Sequence, residues 1–407
     1  MPDMLLALRF LIREPRRTTI ALFAIGFGVV ALLLAGGFME WIFWAMRESA
    51  IQSQIGHVQV MRRGYLELGI GDPYRFLMPA NSPQQDYLKE LAHVREVVPL
   101  VNFSGLISHG DATVSFIAQG VDPIREAVFS RGLLITAGKP LSPDDEQGVL
   151  LGEGLAENLG AGLGDKVVLL STLSSGGINA VEGEVRGVFH TTSKDFDNAA
   201  VRLPLGLAQR LLQTAGVHRW LLFLDDTDFT DAIASKIKAH FAAEGADLEV
   251  IPWYHLADFY NKTVALFTRQ LGVVAIIIGL IIVLSIANTM IMSVLERTRE
   301  IGTLLALGKK RRQVLGLYLS EGFWLGIIGG LAGVGIAVLL AYIISAVGIP
   351  MPPPPGMKRG YSGEIMLTLP WVIGVWILAM FSAVLASLYP AWKASRMVIV
   401  DALRHGR

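Results

Sequence analysis

The chain of 407 residues carries 35 basic and 35 acidic side chains, no cysteine, 52% hydrophobic residues and only 17% charged ones. Globular domains carry about 25% charged residues, and a mean hydropathy of +0.50 argues further against a soluble enzyme, a disordered chain or a nucleic-acid binder with a basic surface. The lack of cysteine excludes a disulfide scaffold, a thiol nucleophile and any Cys-ligated metal.

In chain order, residues 1–17 hold Arg9, Arg13, Arg16 and Arg17 around the apolar stretch Leu5 to Ile12, and read as a cytoplasmic amphipathic segment along the inner membrane surface. Four charge-free runs follow: Thr18 to Met39 (22 residues), Gln270 to Leu295 (26), Gly322 to Met357 (36) and Ile365 to Trp392 (28). A bilayer core of about 30 Å needs ~20 apolar residues as helix. The expected spans are residues 18–46, 266–295, 315–347 and 365–392, the third run being broken at Gly348, Pro350 and the Pro352 to Pro355 run. Residues 348–364 are then a Pro-rich external loop. The first run is too long for the core of a signal peptide and has no clear cleavage site, so an uncleaved anchor is expected.

Lysine and arginine cluster before the first span, between the second and third (Arg297, Arg299, Lys309 to Arg312) and in the tail 393–407 (Lys393, Arg396, Arg404, Arg407). With four spans, all three clusters fall on one side, so both termini are expected in the cytoplasm and residues 47–265 outside. That segment alternates at Val58 to Val60, Thr113 to Ile117, Lys166 to Leu170 and Trp220 to Leu224, which predicts strands. Helical patterns sit at about Gln84–Val94 (Ser82 as N-cap), Glu153–Leu159, Leu205–Thr214 and Thr230–Ala242, the last capped by Asp228 or Thr230. An α+β domain results, its size permitting a second subdomain around residues 121–217.

No P-loop, nucleophile elbow or H-E-x-x-H motif is present. Gly152 to Glu157 lacks the third glycine of a dinucleotide fingerprint, and His190, Asp195 and Asp197 fit no established metal-ligand spacing. His57, His93 and His109 are isolated. The informative stretch is Glu296 to Gln313. Ile301, Leu304, Leu305 and Ala306 form an apolar stripe on a short helix with charges at Glu296, Arg299 and Glu300, ending at the cap residue Gly308. From the residues alone it is either an interfacial helix on anionic lipid or a docking helix for a cytoplasmic partner.

Beyond it, Gly322, Gly326 and Gly330, and Gly329 and Gly333, repeat at four-residue spacing and predict close helix packing, as do Gly26, Gly28, Gly36 and Gly37 in the first span. Glu321 is expected to pair with Arg312 or Lys310, and Asn288 to hydrogen-bond between helices.

Arg297, Arg299, Glu300, Ile301, Gly302, Ala306, Leu307, Gly308 and Gln313, with the tail Tyr389 to Arg396 and Asp401 to Arg404, resemble the signatures of the MacB/FtsX/LolCE group of ABC transporter permeases. Ile399 departs from a proline common there. Gly148 to Gly152, Leu159 to Val167 and Leu203 to Gln209 resemble that group's periplasmic core domain. The resemblance implies a membrane protein with one span, a large MacB-type α+β periplasmic insertion and three further spans, in the bacterial inner membrane.

It makes 296–314 the coupling helix and loop, with Glu296, Arg297, Arg299, Glu300, Ile301, Gly302, Leu304, Ala306, Leu307, Gly308 and Gln313 meeting a separate cytoplasmic ATPase dimer. ATP and magnesium would be bound there and no cofactor here. A second permease chain, identical or paralogous, is implied, with a periplasmic carrier or adaptor in some systems and no nucleic acid. Changing Glu300 or Gly302 is expected to abolish ATPase binding but not insertion. The length and lack of a fused ATPase put lipoprotein or lipid release ahead of MacB-like export of a peptide or drug, of regulation of a cell-wall enzyme, and of an ATPase-independent sensor.

Overall fold

The computed structural model describes residues 2–69, 72–125, 133–191, 194–351 and 361–398. The expectations for the proline run 352–355, for Lys358 and Arg359, and for Ile399 and the tail motif 401–404 lie outside the described residues. Those that are described form two compact units. One is helical, from residues up to Trp44, Lys262–Met351 and those from Ser362 on; the other is built from Ala45–Asn261.

Four helices are long and apolar enough to cross a bilayer: Pro15–Ala50, Asp258–Glu296, Arg311–Val347 and Leu369–Ser395, here spans 1 to 4. Spans 1 and 2 run well past the charge-free stretches. An α-helix satisfies its own backbone with any good helix former, so an apolar run marks hydrocarbon thickness and not the ends of the helix. Before span 1, Pro2–Arg13 forms a separate helix. It buries Ala7 and Leu11 and takes a hydrogen bond from the Trp324 indole to the Met4 carbonyl at 3.2 Å, so this segment packs on span 3.

The glycines of span 3 serve two faces. A Cβ on Gly322 would lie 2.8 Å from Ser387 Cβ, and one on Gly326 2.9 Å from Met380 Cα, both on span 4. A Cβ on Gly330 would lie 2.6 Å from the Trp376 ring, also span 4. Gly329 and Gly333 instead meet Ile25 and Val29 of span 1 at 3.0 and 2.8 Å. Small residues let helix backbones approach where bulkier ones would hold them apart. Gly28 faces Ile282 of span 2, and Gly37 leaves room for its carbonyl to accept the Met366 N–H at 2.9 Å. Asn288 departs from expectation: it is exposed on span 2, on the opposite side from the buried Ile282, Ile286 and Met290.

In the second unit, ten strands pair into one mixed network. In chain order they are β1 (Val58–Arg62), β2 (Val94–His109), β3 (Ala112–Val121), β4 (Leu134–Gly138) and β5 (Gly148–Gly152). Then come β6 (Lys166–Thr172), β7 (Ile178–His190), β8 (Ala200–Pro204), β9 (Arg219–Leu224) and β10 (Leu248–Pro252). The order is β10-β1-β9-β2-β3-β8-β5-β7-β4, and β6 bridges β2 and β7. The pairings β2-β3-β8-β5-β7-β6 therefore return to β2 and close a ring, which leaves those strands without a free edge. Gly105 makes that closure possible: a Cβ there would stand 2.0 Å from the Leu170 carbonyl of β6.

The pairs β3–β8 and β5–β7 are parallel. Helices Pro83–Glu90, Glu153–Leu159, Leu205–Leu212 and Thr230–Glu244 fall where periodicity placed them, and Ser82 Oγ accepts the Gln85 N–H as N-cap of the first. Stretch 121–217 supplies β4 to β8, hydrogen-bonded to the rest through β3 and β2. Among the described residues no cluster of histidine and carboxylate side chains could hold a metal. His190 Nδ1 does meet Asp197 at 3.0 Å, and that carboxylate also accepts the Thr191 N–H and hydroxyl.

His57 is buried where β1 meets β9. Its Nδ1 accepts the Leu224 N–H at 3.1 Å. Its Nε2 lies 3.2 Å from Thr227 Oγ1, whose proton goes to Glu48 at 2.9 Å. The ring is therefore the neutral Nε2–H tautomer. Burial lowers its pKa, opposed by Glu48 and Asp226 and assisted by Arg47. With the folded-state value below the ordinary one of about 6.5, this contribution to stability is whole above that pH and is lost as pH falls from there through the folded-state value. Thermal unfolding of the full chain in detergent should show a melting temperature that declines on acidification below about pH 6.5. His57→Gln should shallow that decline, and an unaltered decline would assign the pH response to other groups.

Candidate functional site

The expected coupling helix is present as Thr298–Ala306. It starts from Arg297, whose φ −92° and ψ 13° break the helical line leaving span 2. It ends in a pair of backbone bonds, Gly308 N–H to Leu305 O at 3.1 Å and Lys309 N–H to Leu304 O at 3.1 Å, with Gly308 at φ +90°. This is the Schellman arrangement, and its left-handed residue is the reason for glycine there.

The helix has two faces. Ile301 and Gly302 are buried, with Ile301 in the apolar cluster of Val314 and Tyr318 at the start of span 3 and Leu305 packed partly against it. Leu304 is half-buried. Arg299, Glu300, Thr303 and Ala306 are exposed, and Leu307 is 80% exposed. Lys310, Arg311 and Arg312 continue the exposed side. A bare leucine flanked by charges of both signs suits a groove on a partner protein, the apolar knob giving affinity and the charges register. Gly302 faces inward, so the expectation attached to its substitution changes: a larger residue there disturbs the seat of the helix. Gln313 also has a local task, its Oε1 accepting the Lys310 N–H at 2.9 Å across the first turn of span 3.

Arg297 and Glu296 are held by the base of span 1. Arg297 is 7% exposed and donates from Nε and Nη2 to Glu14 Oε1, both at 2.9 Å. Arg17 pairs with Glu296 and lies 3.7 Å from Glu14. Hydrogen bonds between charged groups are stronger than neutral ones, so the hinge of the coupling helix is tied to span 1 as well as to span 2. Sequence reasoning missed Glu14; the available signal was one acid among four arginines, next to a helix-starting proline.

Glu321 does not pair with Lys310 or Arg312. It is buried, and its electrostatic neighbours are Arg297 and Glu14. Arg312 lies nine residues back on the same helix, about 13 Å along the axis. In the tail motif, Pro390, Ala391, Ala394 and Ser395 are buried in span 4 and the Arg396 guanidinium stacks 4.7 Å from the Trp392 ring.

Comparison with known proteins agrees with this architecture. Residues 18–240 match the MacB-like periplasmic core domain family, and residues 272–399 match the FtsX-like permease C-terminal family. The chain is 25% identical over 72% of its length to an uncharacterized ABC transporter permease of Methanocaldococcus jannaschii, covering 70% of that protein. It is 25% identical over 77% of its length to the lipoprotein-releasing system transmembrane protein LolC of Xylella fastidiosa, covering 78% of it. It is 32% identical over 35% of its length to the pyoverdine export ATP-binding/permease protein PvdT of Pseudomonas fluorescens, covering 20% of that protein. With a MacB-like core domain between its first two spans and FtsX-like spans after it, the chain belongs to the MacB/FtsX/LolC family of ABC transporter permeases.

Proposed function

We propose that the chain is the non-catalytic membrane subunit of an ATP-driven transporter that releases a lipoprotein or lipid from the inner membrane. ATP and magnesium are handled by a separate ATPase dimer seated on the exposed face of Thr298–Leu307, and a second permease chain completes the assembly. Both termini lie in the cytoplasm. The carrying observation is a cleft of about 440 Å³ within the helical unit, walled by Leu32, Met39 and Phe43 of span 1, Leu271 of span 2 and Val375 and Leu378 of span 4. Its volume is in the range of small-molecule sites, and its walls are almost wholly apolar. A hydrocarbon chain fits such walls, whereas a polar siderophore or peptide leaves its own polar groups unpaired. The likeness to LolC over 77% of the chain supports the same reading.

The test is reconstitution of the chain with its ATPase in proteoliposomes holding a diacylated lipoprotein, whose N-terminal amine is free. ATP-dependent loss of the lipoprotein from the vesicles is the expected result. ATPase stimulation by a soluble peptide or macrolide, with the lipoprotein retained, would replace this reading with export of a periplasmic solute.

A further inference from the structure

Among the described residues lining the cleft, one side chain is ionisable, Glu40 of span 1. Among the described residues Glu40 has no ion-pair or hydrogen-bond partner, in contrast to the carboxylates of Glu14 and Glu296 at the other end of the spans. Its polar companion in the lining is Thr268 of span 2. Two glycines of the lining, Gly272 and Gly374, have nothing within 4 Å of where a Cβ would stand. They differ from Gly322 and Gly326, whose missing side chains are filled by span 4. Glycine in a helix interior is destabilising relative to alanine. At positions 272 and 374 that cost brings no helix contact among the described residues and keeps the cleft wide. Gly36, also in the lining, is covered by the ring of Trp371, itself a lining residue.

We infer that this cleft binds a single acyl amphiphile by its tail, and that Glu40 selects one whose polar end carries a primary ammonium, the chemistry of a phosphatidylethanolamine headgroup. This rests on the reading of the cleft as an amphiphile site. An unpaired carboxylate at the edge of apolar walls is best matched by a cation able to donate hydrogen bonds. An ammonium on a lipid brings that charge and the hydrocarbon together. An anionic headgroup would place like charges side by side.

The test is native mass spectrometry of the full chain purified in a delipidating detergent and offered equimolar phosphatidylethanolamine and phosphatidylglycerol. The wild type should retain phosphatidylethanolamine over phosphatidylglycerol by on the order of tenfold. Glu40→Gln should retain both equally, and Glu40→Lys should favour phosphatidylglycerol. Gly374→Leu, or Gly272→Leu from the other wall, should lose both lipids with the melting temperature unchanged. If Glu40→Gln keeps the wild-type preference, selection by Glu40 is overturned while the cleft stands. If both leucine variants retain lipid as the wild type does, the cleft is not the site and the amphiphile reading falls with it.

Discussion

Gly326→Leu should prevent spans 3 and 4 from closing on one another, so that little monodisperse protein survives extraction and what does melts well below the wild type. The first atom of any side chain at this position would be 2.9 Å from the Met380 Cα and 3.2 Å from the Ala383 Cβ. The nearer of these is backbone, so no rotamer change can give way, and spans 3 and 4 have to separate. Overpacking of a tight contact costs about 1–3 kcal/mol for a methyl or two, which sets the expectation for Gly326→Ala. Leucine exceeds that range. Gly335, in the same span with nothing within 4 Å of its would-be Cβ, is the control. Gly335→Ala should be neutral or stabilising by up to about 1 kcal/mol, from helix propensity alone. If both alanine variants melt alike, close approach at Gly326 does not hold the span pair together.

The second large effect is on partner association. Leu307→Asp combined with Arg299→Glu should abolish co-purification of the ATPase subunit and ATP-dependent transport, while yield and melting temperature of the permease stay at wild-type values. Both side chains are exposed, Leu307 by 80%, so neither substitution disturbs the buried face of Ile301. Loss of an apolar anchor at the centre of an interface commonly costs 2 kcal/mol or more, about thirtyfold in affinity. Ile301→Asp makes the contrast. It should damage the permease itself, because Ile301 is buried against Val314 and Tyr318. Wild-type ATPase stoichiometry in the Leu307/Arg299 variant would mean that this face is not the docking surface.

Local patterns carried much of this architecture into the sequence. Alternation at Val58 to Val60 and Trp220 to Leu224 marks two strands that prove to be neighbours, β1 and β9. Gly308 after an apolar stripe marks the end of the coupling helix. What a local pattern cannot carry is the identity of a neighbour. The spacing of Gly322 to Gly333 says that span 3 is approached closely, but not that one row meets span 4 and the other span 1. The ring closure at Gly105 joins β2 to β6 across some sixty residues of intervening chain, and a glycine in a strand looks the same whether or not a carbonyl fills its place. Glu14 and Arg297 are 283 positions apart, so each reads alone as one more interfacial charge. Asn288 and Glu321 lie elsewhere than their sequence context suggests for a related reason. On a helix apolar all round, periodicity does not say which side faces the bundle.

Glu14 and Arg297 also bear on how motion travels. The hinge that aims the coupling helix is bonded to the base of span 1, and the same hinge continues into span 2. A displacement of Thr298–Ala306 would thus act on the two spans that flank the inserted domain in the chain, which is what the proposed role of passing ATPase motion through the membrane requires.

That role is tested most directly by purifying the tagged full-length chain from gently solubilised native membranes and identifying what stays bound by mass spectrometry. An ABC ATPase subunit should be retained in amounts comparable to the permease, and be lost from the Leu307/Arg299 variant. If no ATPase is retained even after crosslinking, the chain is not the membrane half of an ATP-driven transporter, and a membrane receptor with an external sensing domain would take its place.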